Sequence, residues 1–230
     1  MTALPRTIPA LILAILCTPV FAAPPLPADP RAARAVTDYL RQMQAEESRT
    51  RDQRVADRIE ALANNPASPV LANPKGDITI IEFSDYACPY CKAAEPRLLA
   101  LVNADKRVRL VMKEYPILTK ASMTASRMAL AANKQGKYRQ FHLALMRREG
   151  ALDEAGIFET AGSVGLDIAR ARRDMQAPEV SGEIIANFNL ARGIRAFQTP
   201  TYIIDGRILT ADSANIDFAR EVAAARAKRK

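Results

Sequence analysis

The residues of this sequence that could do chemistry are two cysteines three positions apart, Cys88 and Cys91, within the stretch FSDYACPYCK. A disulfide stabilises a protein mainly by removing freedom from a long unfolded loop, and this loop is too short for that effect. The spacing C-x-x-C is instead typical of a redox-active pair or of two metal ligands. We therefore expect the pair to serve chemistry rather than stability.

The flanking segments predict where the pair lies. ITIIEFSDY is rich in β-branched and aromatic residues and indicates a buried strand, and the residues from Cys88 to Asn103 indicate a helix. Cys88 would then face the unpaired amides and the positive dipole end of that helix, which favour the thiolate. Cys91 is expected one turn later, shielded behind Cys88 as the resolving thiol. Pro89 suits the first helical turn because its missing N–H would have no partner there.

Disulfide exchange through such a pair would proceed by a mixed disulfide between Cys88 and a client, which Cys91 resolves or re-forms. Pro89 and Tyr90 add no side-chain charge, so a moderate oxidising power is expected. Two thiolates could alternatively bind copper(I). A structural zinc site needs about four ligands, whereas Cys88, Cys91 and His142 are the only candidates outside the first 22 residues. Cys–His hydrolysis is disfavoured because YRQFHLALM predicts a helix in which His142 packs as a structural residue.

Two other places could complete the site. In the stretch QTPT, Pro200 cannot donate to a sheet ladder and is expected at the start of a strand. A cis bond between Thr199 and Pro200 would let Thr199 pair with an extended client peptide near the sulfurs, and an ordinary trans turn is the alternative. Glu82 lies six residues before Cys88 on the buried strand. Its carboxylate could either relay a proton to the sulfurs or point to the sheet edge.

The first 22 residues have the pattern of a secretory signal peptide. MTALPRTIPALILAILCTPVFA has a basic start at Arg6, an apolar core to Leu16 and a small-residue cleavage site ending at Ala22. The apolar run is short for a membrane span, although an uncleaved anchor is the alternative. Cleavage would remove Cys17 and deliver the remaining pair to an oxidising compartment, the periplasm.

The composition is that of an ordinary globular protein. The chain is 49% hydrophobic and 25% charged, which is enough for one sizeable core. Its formal net charge of +8 comes from scattered basic residues with few aromatic residues among them. This distribution indicates affinity for anionic surfaces or acidic clients, and it argues against nucleic-acid binding.

Residues 23–66 are predicted to form a proline-rich lead and then a helical arm from Pro30 to Asn64. Polar residues 44–54 separate two short apolar stripes on this helix: Val36, Leu40 and Met43, and Val55, Ile59 and Leu62. Such a helix cannot bury its whole length. The pattern favours an oligomerisation arm, and a helix that lies on its own domain is the alternative.

The rest of the chain is predicted to form one α/β domain in three segments. Residues 67–117 contain a strand, a helix and a second strand, and residues 118–178 are helical, with breaks at glycines. Residues 179–230 contain a hairpin that turns at Asp205–Gly206 and a last helix from about Ser213. This order indicates a sheet with a helical insertion.

These motifs resemble the DsbA-like branch of the thioredoxin superfamily. IIEFSDYACPYC matches its strand and active site, TPTYIIDG its cis-proline and hairpin, and KEYPIL its entry into an inserted helical region. Pro96 falls where the superfamily often has a kink in the first helix. Within this branch the sequence is similar to the suppressor-of-copper-sensitivity C (ScsC) group, some of which trimerise through an N-terminal helical arm. The arm from Pro30 to Asn64 carries that closer match.

The resemblance implies a thioredoxin-like fold with an inserted helical domain and an N-terminal arm. It implies that Cys88 is the exposed nucleophile, Cys91 its partner and Pro200 the cis-proline, with no resident cofactor. The expected activity is exported thiol-disulfide exchange with misfolded or cysteine-containing secreted proteins, by a homo-oligomer such as a trimer that relies on a membrane redox partner. Pro-Tyr between the cysteines, rather than the Pro-His of the strongest oxidases, favours an isomerase or reductase. The alternatives are a monomeric disulfide oxidase and a copper(I) carrier.

Overall fold

The computed structural model of the chain describes residues 29–210 and 216–229. The predicted signal peptide with Cys17, and Ser213 as the predicted start of the last helix, lie outside the described residues. The chain divides into two units, residues 1–45 and 46–230. Among the helices of the described ranges, none is both long and apolar enough to cross a bilayer.

One mixed sheet lies at the centre of the second unit, with the strand order β1-β3-β2-β4-β5 in the described residues. Its strands are β1 Val70–Ala72, β2 Ile78–Ser84, β3 Val108–Glu114, β4 Thr201–Ile204 and β5 Arg207–Thr210. β2 and β3 are parallel, and β4 runs antiparallel to β2. The β-branched and aromatic strand β2, which leads to the cysteine pair, therefore occupies the middle of the sheet.

Helices of the second unit cover both faces of this sheet. The helices of the described residues are α1 Pro30–Ala56, α2 Ile59–Ala63, α3 Pro89–Ala104, α4 Lys120–Lys134, α5 Tyr138–Arg147, α6 Glu154–Ser163, α7 Ile168–Asp174, α8 Pro178–Ile194 and α9 Phe218–Ala227. Helices α4 to α8 all lie between β3 and β4 in the chain, which confirms the predicted helical insertion. Pro96 lies inside α3, as the sequence predicts.

The β4–β5 hairpin turns where the sequence predicts. Asp205 and Gly206 both have positive φ, 49° and 81°. A two-residue turn with this geometry matches the right-handed twist of the strands it joins, and Asp-Gly is a preferred pair for it. The turn pairs β5 with β4, and β4 pairs on its other side with β2, so that the start of β4 lies opposite the end of β2 that leads to the cysteine pair.

The alternating side chains of β2 build two separate parts of the core. Ile78 and Ile80 pack on the face that also buries Leu98 of α3 and the insertion helices. Ile81 and Phe83 pack on the opposite face, together with residues of α1, α2 and α8. A strand buried on both faces has the nearly continuous apolar sequence seen in ITIIEF.

The N-terminal helical segment is two helices, so the prediction of one helix from Pro30 to Asn64 is wrong. α1 ends at Ala56, and Arg58 before α2 has a non-helical backbone with φ −123° and ψ 5°. Val55 near the end of α1 and Leu62 in α2 are both fully buried in the core on one face of the sheet. Two residues of the second apolar stripe therefore pack on their own domain, whereas Ile59 is 41% exposed. In the first unit, Leu40 and Met43 are exposed by 50% and 53%.

Substitution of a core residue of α3 tests this packing. Leu98 is fully buried, so Leu98→Ala removes apolar contacts and leaves a cavity. We expect the free energy of unfolding in urea to fall by about 2–5 kcal/mol. Leu118→Ala is the matched control, because Leu118 is 49% exposed, and a change within about 0.5 kcal/mol is expected there. Equal losses in the two variants would contradict the described core.

Candidate active site

Cys88 lies at the N-terminus of helix α3. Cys88 is the N-cap of α3, with φ −78° and ψ 117°, and Pro89 follows in the first turn. The Cys91 backbone N–H donates to the Cys88 sulfur at 3.4 Å. An N-cap side chain that accepts from this position satisfies one of the orphan amides of the helix. The predicted position of the pair at a strand-to-helix junction is therefore confirmed.

Asp85 fixes the loop between β2 and the pair, and the sequence reasoning missed it. One carboxylate oxygen accepts from the Ala87 N–H at 2.8 Å, and the other accepts from the Ile117 and Leu118 N–H groups at 2.9 Å and 3.0 Å. Asp85 thus ties the start of the site to the loop after β3. The sequence feature that could have identified Asp85 is an aspartate directly after a buried strand, where its carboxylate can accept hydrogen bonds from backbone amides.

Both cysteines are reduced and buried. Cys88 is 2% exposed and Cys91 is fully buried. In this conformation the Cys88 sulfur is covered rather than exposed, and its implied role as the nucleophile stays a prediction. The Cys88 thiol donates to the Thr199 carbonyl at 3.3 Å. The loop before β4 thus lies against Cys88, opposite the first turn of α3, and encloses its sulfur.

The pKa values of the two thiols are nevertheless shifted in opposite directions. The pKa of Cys88 is lowered to about 6, first by the hydrogen bond from the Cys91 thiol, against the effect of burial. Hydrogen bonds from Thr199 and from the Cys91 and Tyr90 amides lower it further. Burial raises the pKa of Cys91, and the hydrogen bond to Cys88 and the charge of Glu82 raise it as well. The pair therefore consists of one ready thiolate and one protonated reserve thiol.

The Thr199–Pro200 peptide bond is cis, as the sequence pattern predicts. Pro200 is buried directly before β4, and Thr199 lies beside Cys88. The Thr199 hydroxyl oxygen is buried and has no hydrogen-bond partner in the described part of the chain. This hydroxyl can rotate to donate to the Cys88 thiolate, in agreement with its lowering of the Cys88 pKa. Pairing of Thr199 with a client peptide stays a prediction.

Glu82 lies in the interior, so the alternative that it points to the sheet edge is wrong. Its strand β2 is the middle strand, and the residue is 1% exposed. The Tyr202 hydroxyl donates to one oxygen at 3.4 Å, and the other oxygen has no partner among the described residues. Burial raises the pKa of Glu82 well above that of an ordinary glutamate, and the charges of Glu95 and Cys88 add to this effect. A role in proton relay stays a prediction.

His142 packs inside the protein, as the sequence predicts, and lies 1% exposed. Its Nδ1 is 3.0 Å from the Tyr86 hydroxyl, its Nε2 is 3.4 Å from a Glu95 carboxylate oxygen, and its ring stacks on Tyr138. These described contacts do not include Cys88. The structure therefore gives no support to a Cys–His hydrolytic pair.

A buried carboxylate lies beyond this histidine. Glu114 at the end of β3 accepts hydrogen bonds from Ser126 at 2.6 Å, Tyr138 at 2.7 Å and Tyr86 at 3.2 Å. Burial raises the pKa of Glu114, and these hydrogen bonds oppose the effect. The sequence reasoning missed Glu95 and Glu114. The available signal was a glutamate one turn after Cys91 on α3, and a second one ending the strand that pairs with β2.

The chemistry of this arrangement is that of thiol exchange rather than of a multi-ligand metal centre. The described residues contain no group of three or more histidine, cysteine, aspartate or glutamate side chains that could hold a metal ion. They do contain a low-pKa cysteine at a helix mouth, a protonated partner thiol and a cis-proline loop in contact with the first sulfur. The family model for the DSBA-like thioredoxin domain matches residues 79–223, which is more than half of the chain.

The chain belongs to the DSBA-like thioredoxin domain family. This membership confirms the thioredoxin-like fold with its helical insertion and the resemblance to thiol-disulfide oxidoreductases. A solved structure of a thioredoxin-like oxidoreductase from Silicibacter pomeroyi DSS-3 is 42% identical, with a TM-score of 0.70, and covers 74% of this chain and 98% of that chain.

Two further relatives agree with this assignment. The catalytic domain of Proteus mirabilis ScsC is 25% identical, with a TM-score of 0.68, and covers 76% of this chain and 98% of that chain. The thiol:disulfide interchange protein DsbA of Bordetella parapertussis is 24% identical over 151 residues, which are 64% of this chain and 71% of that protein. The resemblance to the ScsC group is thus matched in structure.

Some of the relatives are much longer than this chain. The chain is 29% identical over 132 residues to a Na⁺/H⁺ antiporter NhaA of Salinispora tropica, but it spans only 20% of that protein's length. The match covers 56% of this chain.

The hydrogen bond between the two thiols can be tested by titration. We expect the thiolate absorbance of Cys88 to have its midpoint near pH 6, as its pKa of about 6 requires. Because the Cys91 thiol is the largest cause of this low pKa, Cys91→Ala should move the midpoint upward. Cys91→Ser, which keeps a hydroxyl donor, should move it less. A midpoint that is the same in all three proteins would contradict the account.

Proposed function

We propose that this protein is an exported thiol-disulfide oxidoreductase that exchanges disulfides with secreted protein clients through Cys88 and Cys91, as an isomerase or reductase. The observation that carries the proposal is the difference in pKa between the two thiols. The pKa of Cys88 is lowered to about 6, and burial raises the pKa of Cys91. Only the thiolate is a nucleophile, so the first attack falls to Cys88.

The exchange conserves atoms and electrons. The Cys88 thiolate attacks a client disulfide, one client sulfur leaves as a thiolate, and a Cys88–client disulfide forms. In isomerisation, another client thiolate attacks the client sulfur of that bond and releases Cys88 unchanged. In reduction, Cys91 gives its proton to a base, attacks Cys88 and expels the second client thiolate. The client has then gained two electrons, and the Cys88–Cys91 disulfide must be reduced by a redox partner.

Glu82 is the group that we assign as the base for Cys91. Its carboxylate is buried, its charge raises the Cys91 pKa, and its own pKa is raised well above the ordinary value by burial and by Glu95. Proton transfer between two groups is efficient when their acid strengths approach one another. The raised pKa of Glu82 therefore makes its carboxylate a better base for Cys91, whose own pKa is raised.

The isomerase or reductase direction is supported by the residues around Cys88 and by the arm. The intervening Pro89 and Tyr90 carry no charge that would stabilise the thiolate further. The described part of the first unit leaves Val36, Tyr39, Leu40 and Met43 exposed at spacings of three, one and three. Such a stripe suits helix association. An oligomer that presents several active sites to one client suits isomerisation.

Export is supported by the signal-peptide pattern of residues 1–22, and we assign the protein to the periplasm, with a membrane redox partner that keeps the pair reduced. The oxidising compartment supplies clients that contain disulfides. A monomeric oxidase and a copper(I) carrier with Cys88 and Cys91 as ligands are the alternatives that the experiments below discriminate.

Refolding of a client with scrambled disulfides tests the activity. Wild-type protein with its pair reduced should restore the client's function, whereas Cys88→Ser should restore none because the nucleophile is absent. Cys91→Ser should accumulate a covalent complex with the client, since the resolving thiol is missing. A wild-type protein that leaves the client scrambled and forms no mixed disulfide would contradict the proposal. Copper(I) binding without client recovery would favour the carrier.

The mass of the protein in solution tests the arm. We expect the wild type to form an oligomer, and Leu40→Asp should dissociate it by placing a charge in the apolar stripe. Gln42→Asp, an exposed polar position of the same helix, is the matched control and should leave the mass unchanged. A monomeric wild type would remove the support for isomerisation and would favour the monomeric oxidase.

A further inference from the structure

We propose that His142, carried by the helical insertion, is a positioning residue for thiol exchange: it shares a buried proton with Glu95 and thereby controls when Glu82 can accept the proton of Cys91. This inference rests on the proposed function and deepens it. It assigns a catalytic consequence to a side chain that does not touch the cysteine pair.

The hydrogen bonds on one side of His142 fix the proton on Nδ1. Tyr86 has a single hydroxyl proton, and burial raises the pKa of Tyr86 so that the proton stays on. In the proposed arrangement that proton is donated to Glu114, at 3.2 Å, and the Tyr86 oxygen accepts from its other neighbour, His142 Nδ1, at 3.0 Å. Nδ1 can play this part only when it carries a hydrogen.

The other side of His142 faces a carboxylate. Nε2 lies 3.4 Å from a Glu95 oxygen, and His142 and Glu95 are 1% and 5% exposed. Neither Nε2 nor either Glu95 oxygen has a hydrogen-bond partner elsewhere in the described part of the chain. With Nδ1 already protonated, a bare Nε2 would set its lone pair against those of the carboxylate. In the proposed arrangement the proton between them is on Nε2, and the pair is an imidazolium beside a carboxylate; a protonated Glu95 beside a neutral imidazole is the alternative that the NMR experiment distinguishes.

The charge of this pair reaches the active site through α3. Glu95 lies one turn after Cys91 on the same helix, so both side chains project from the same face. The charge of Glu95 is, after burial, the next largest cause of the raised pKa of Glu82. The charge of Glu82 in turn raises the pKa of Cys91. A continuous electrostatic path therefore joins His142 to the resolving thiol.

The titratable groups that face this path come from several elements of the fold. His142 on α5 faces Tyr86 after β2, Glu95 on α3, Tyr138 on its own helix and, beyond the tyrosines, Glu114 on β3. Glu82 faces Tyr202 on β4, Glu95, and the two cysteines. Among the described residues, His142 is the only basic side chain within ion-pair distance of Glu95. In the proposed arrangement it supplies the positive charge that balances Glu95.

The pH at which Glu82 becomes a base depends on the charges of His142 and Glu95. A nearby cation favours the ionised form of a carboxyl group, and a nearby anion disfavours it. Loss of the His142 charge should therefore raise the pH at which Glu82 becomes a base for Cys91. Loss of the Glu95 charge should lower that pH even though His142 becomes neutral with it, because the charge of Glu95 raises the pKa of Glu82. A purely structural role of either residue would change folding or overall rate without these opposite shifts.

Nitrogen NMR of the wild type tests the shared proton directly, because the sequence contains a single histidine. A protein without a histidine tag, labelled with ¹⁵N, should show both ring nitrogens in the protonated range at pH 7. Glu95→Gln, which keeps the shape of the side chain and removes its charge, should return Nε2 to the neutral form. The exposed ion-pair residue Glu159 provides the control variant Glu159→Gln, whose imidazole signals should equal those of the wild type.

The kinetic test measures the pH dependence of the step in which Cys91 resolves a preformed Cys88–client disulfide. His142→Gln should shift the midpoint of that profile upward by roughly one pH unit, and Glu95→Gln should shift it downward. Glu159→Gln should leave it in place. If His142→Gln does not fold, the opposite shift of Glu95→Gln and the NMR spectra decide the matter.

A neutral imidazole in the wild type that is unchanged in Glu95→Gln, or two profiles that superimpose on the wild type, would overturn the inference. Either result would leave the proposed function standing, provided that the wild type still forms and resolves the mixed disulfide. A wild type that forms no mixed disulfide would instead defeat the proposed function, and the NMR spectra would still report on the proton shared by His142 and Glu95.

Discussion

The unequal solvation of two neighbouring sulfurs is the constraint on which the rest of the structure depends. Cys88 caps α3 and receives amide, thiol and hydroxyl donors, so its pKa is lowered to about 6. Burial raises the pKa of Cys91, one turn deeper, and a backbone hydrogen bond with Asp85 opposes this effect without overcoming it. The elements around the pair maintain this difference: Asp85 holds the loop that enters α3, and Thr199 holds the side facing the cis-proline.

The protein interior next to the cysteine pair contains several buried carboxyl groups. Glu82, Glu95 and Glu114 are all nearly inaccessible to solvent. Buried carboxyl groups without cations are destabilising, and they are usually retained where their charge has a use. The three carboxyl groups differ in their partners. Glu114 accepts hydrogen bonds from hydroxyl groups, Glu95 lies beside His142, and Glu82, near the thiols, has one oxygen without a hydrogen-bond partner among the described residues. This arrangement gives the helical insertion an electrostatic connection to the thioredoxin-like part of the fold.

The sequence alone was sufficient for features that depend on local patterns. The β-branched runs of β2 and β3, the C-x-x-C spacing and the Asp-Gly turn each determine a structure through neighbouring residues. Features set by distant contacts could not be predicted. Cys88 is covered by Thr199, 111 positions away, and Val55 and Leu62 pack in one core cluster on either side of the break at Arg58. The role of His142 depends on its contact with Glu95 across two helices.

The central claim is that only one of the two sulfurs is a nucleophile near neutral pH. Brief alkylation of the reduced wild-type protein at pH 7, followed by mass-spectrometric mapping of the modified cysteine, tests it most directly. The account requires rapid modification at Cys88 and essentially none at Cys91 while the protein stays folded. Equal labelling of both cysteines, or slow labelling of Cys88 at the rate of a free peptide thiol, would contradict it.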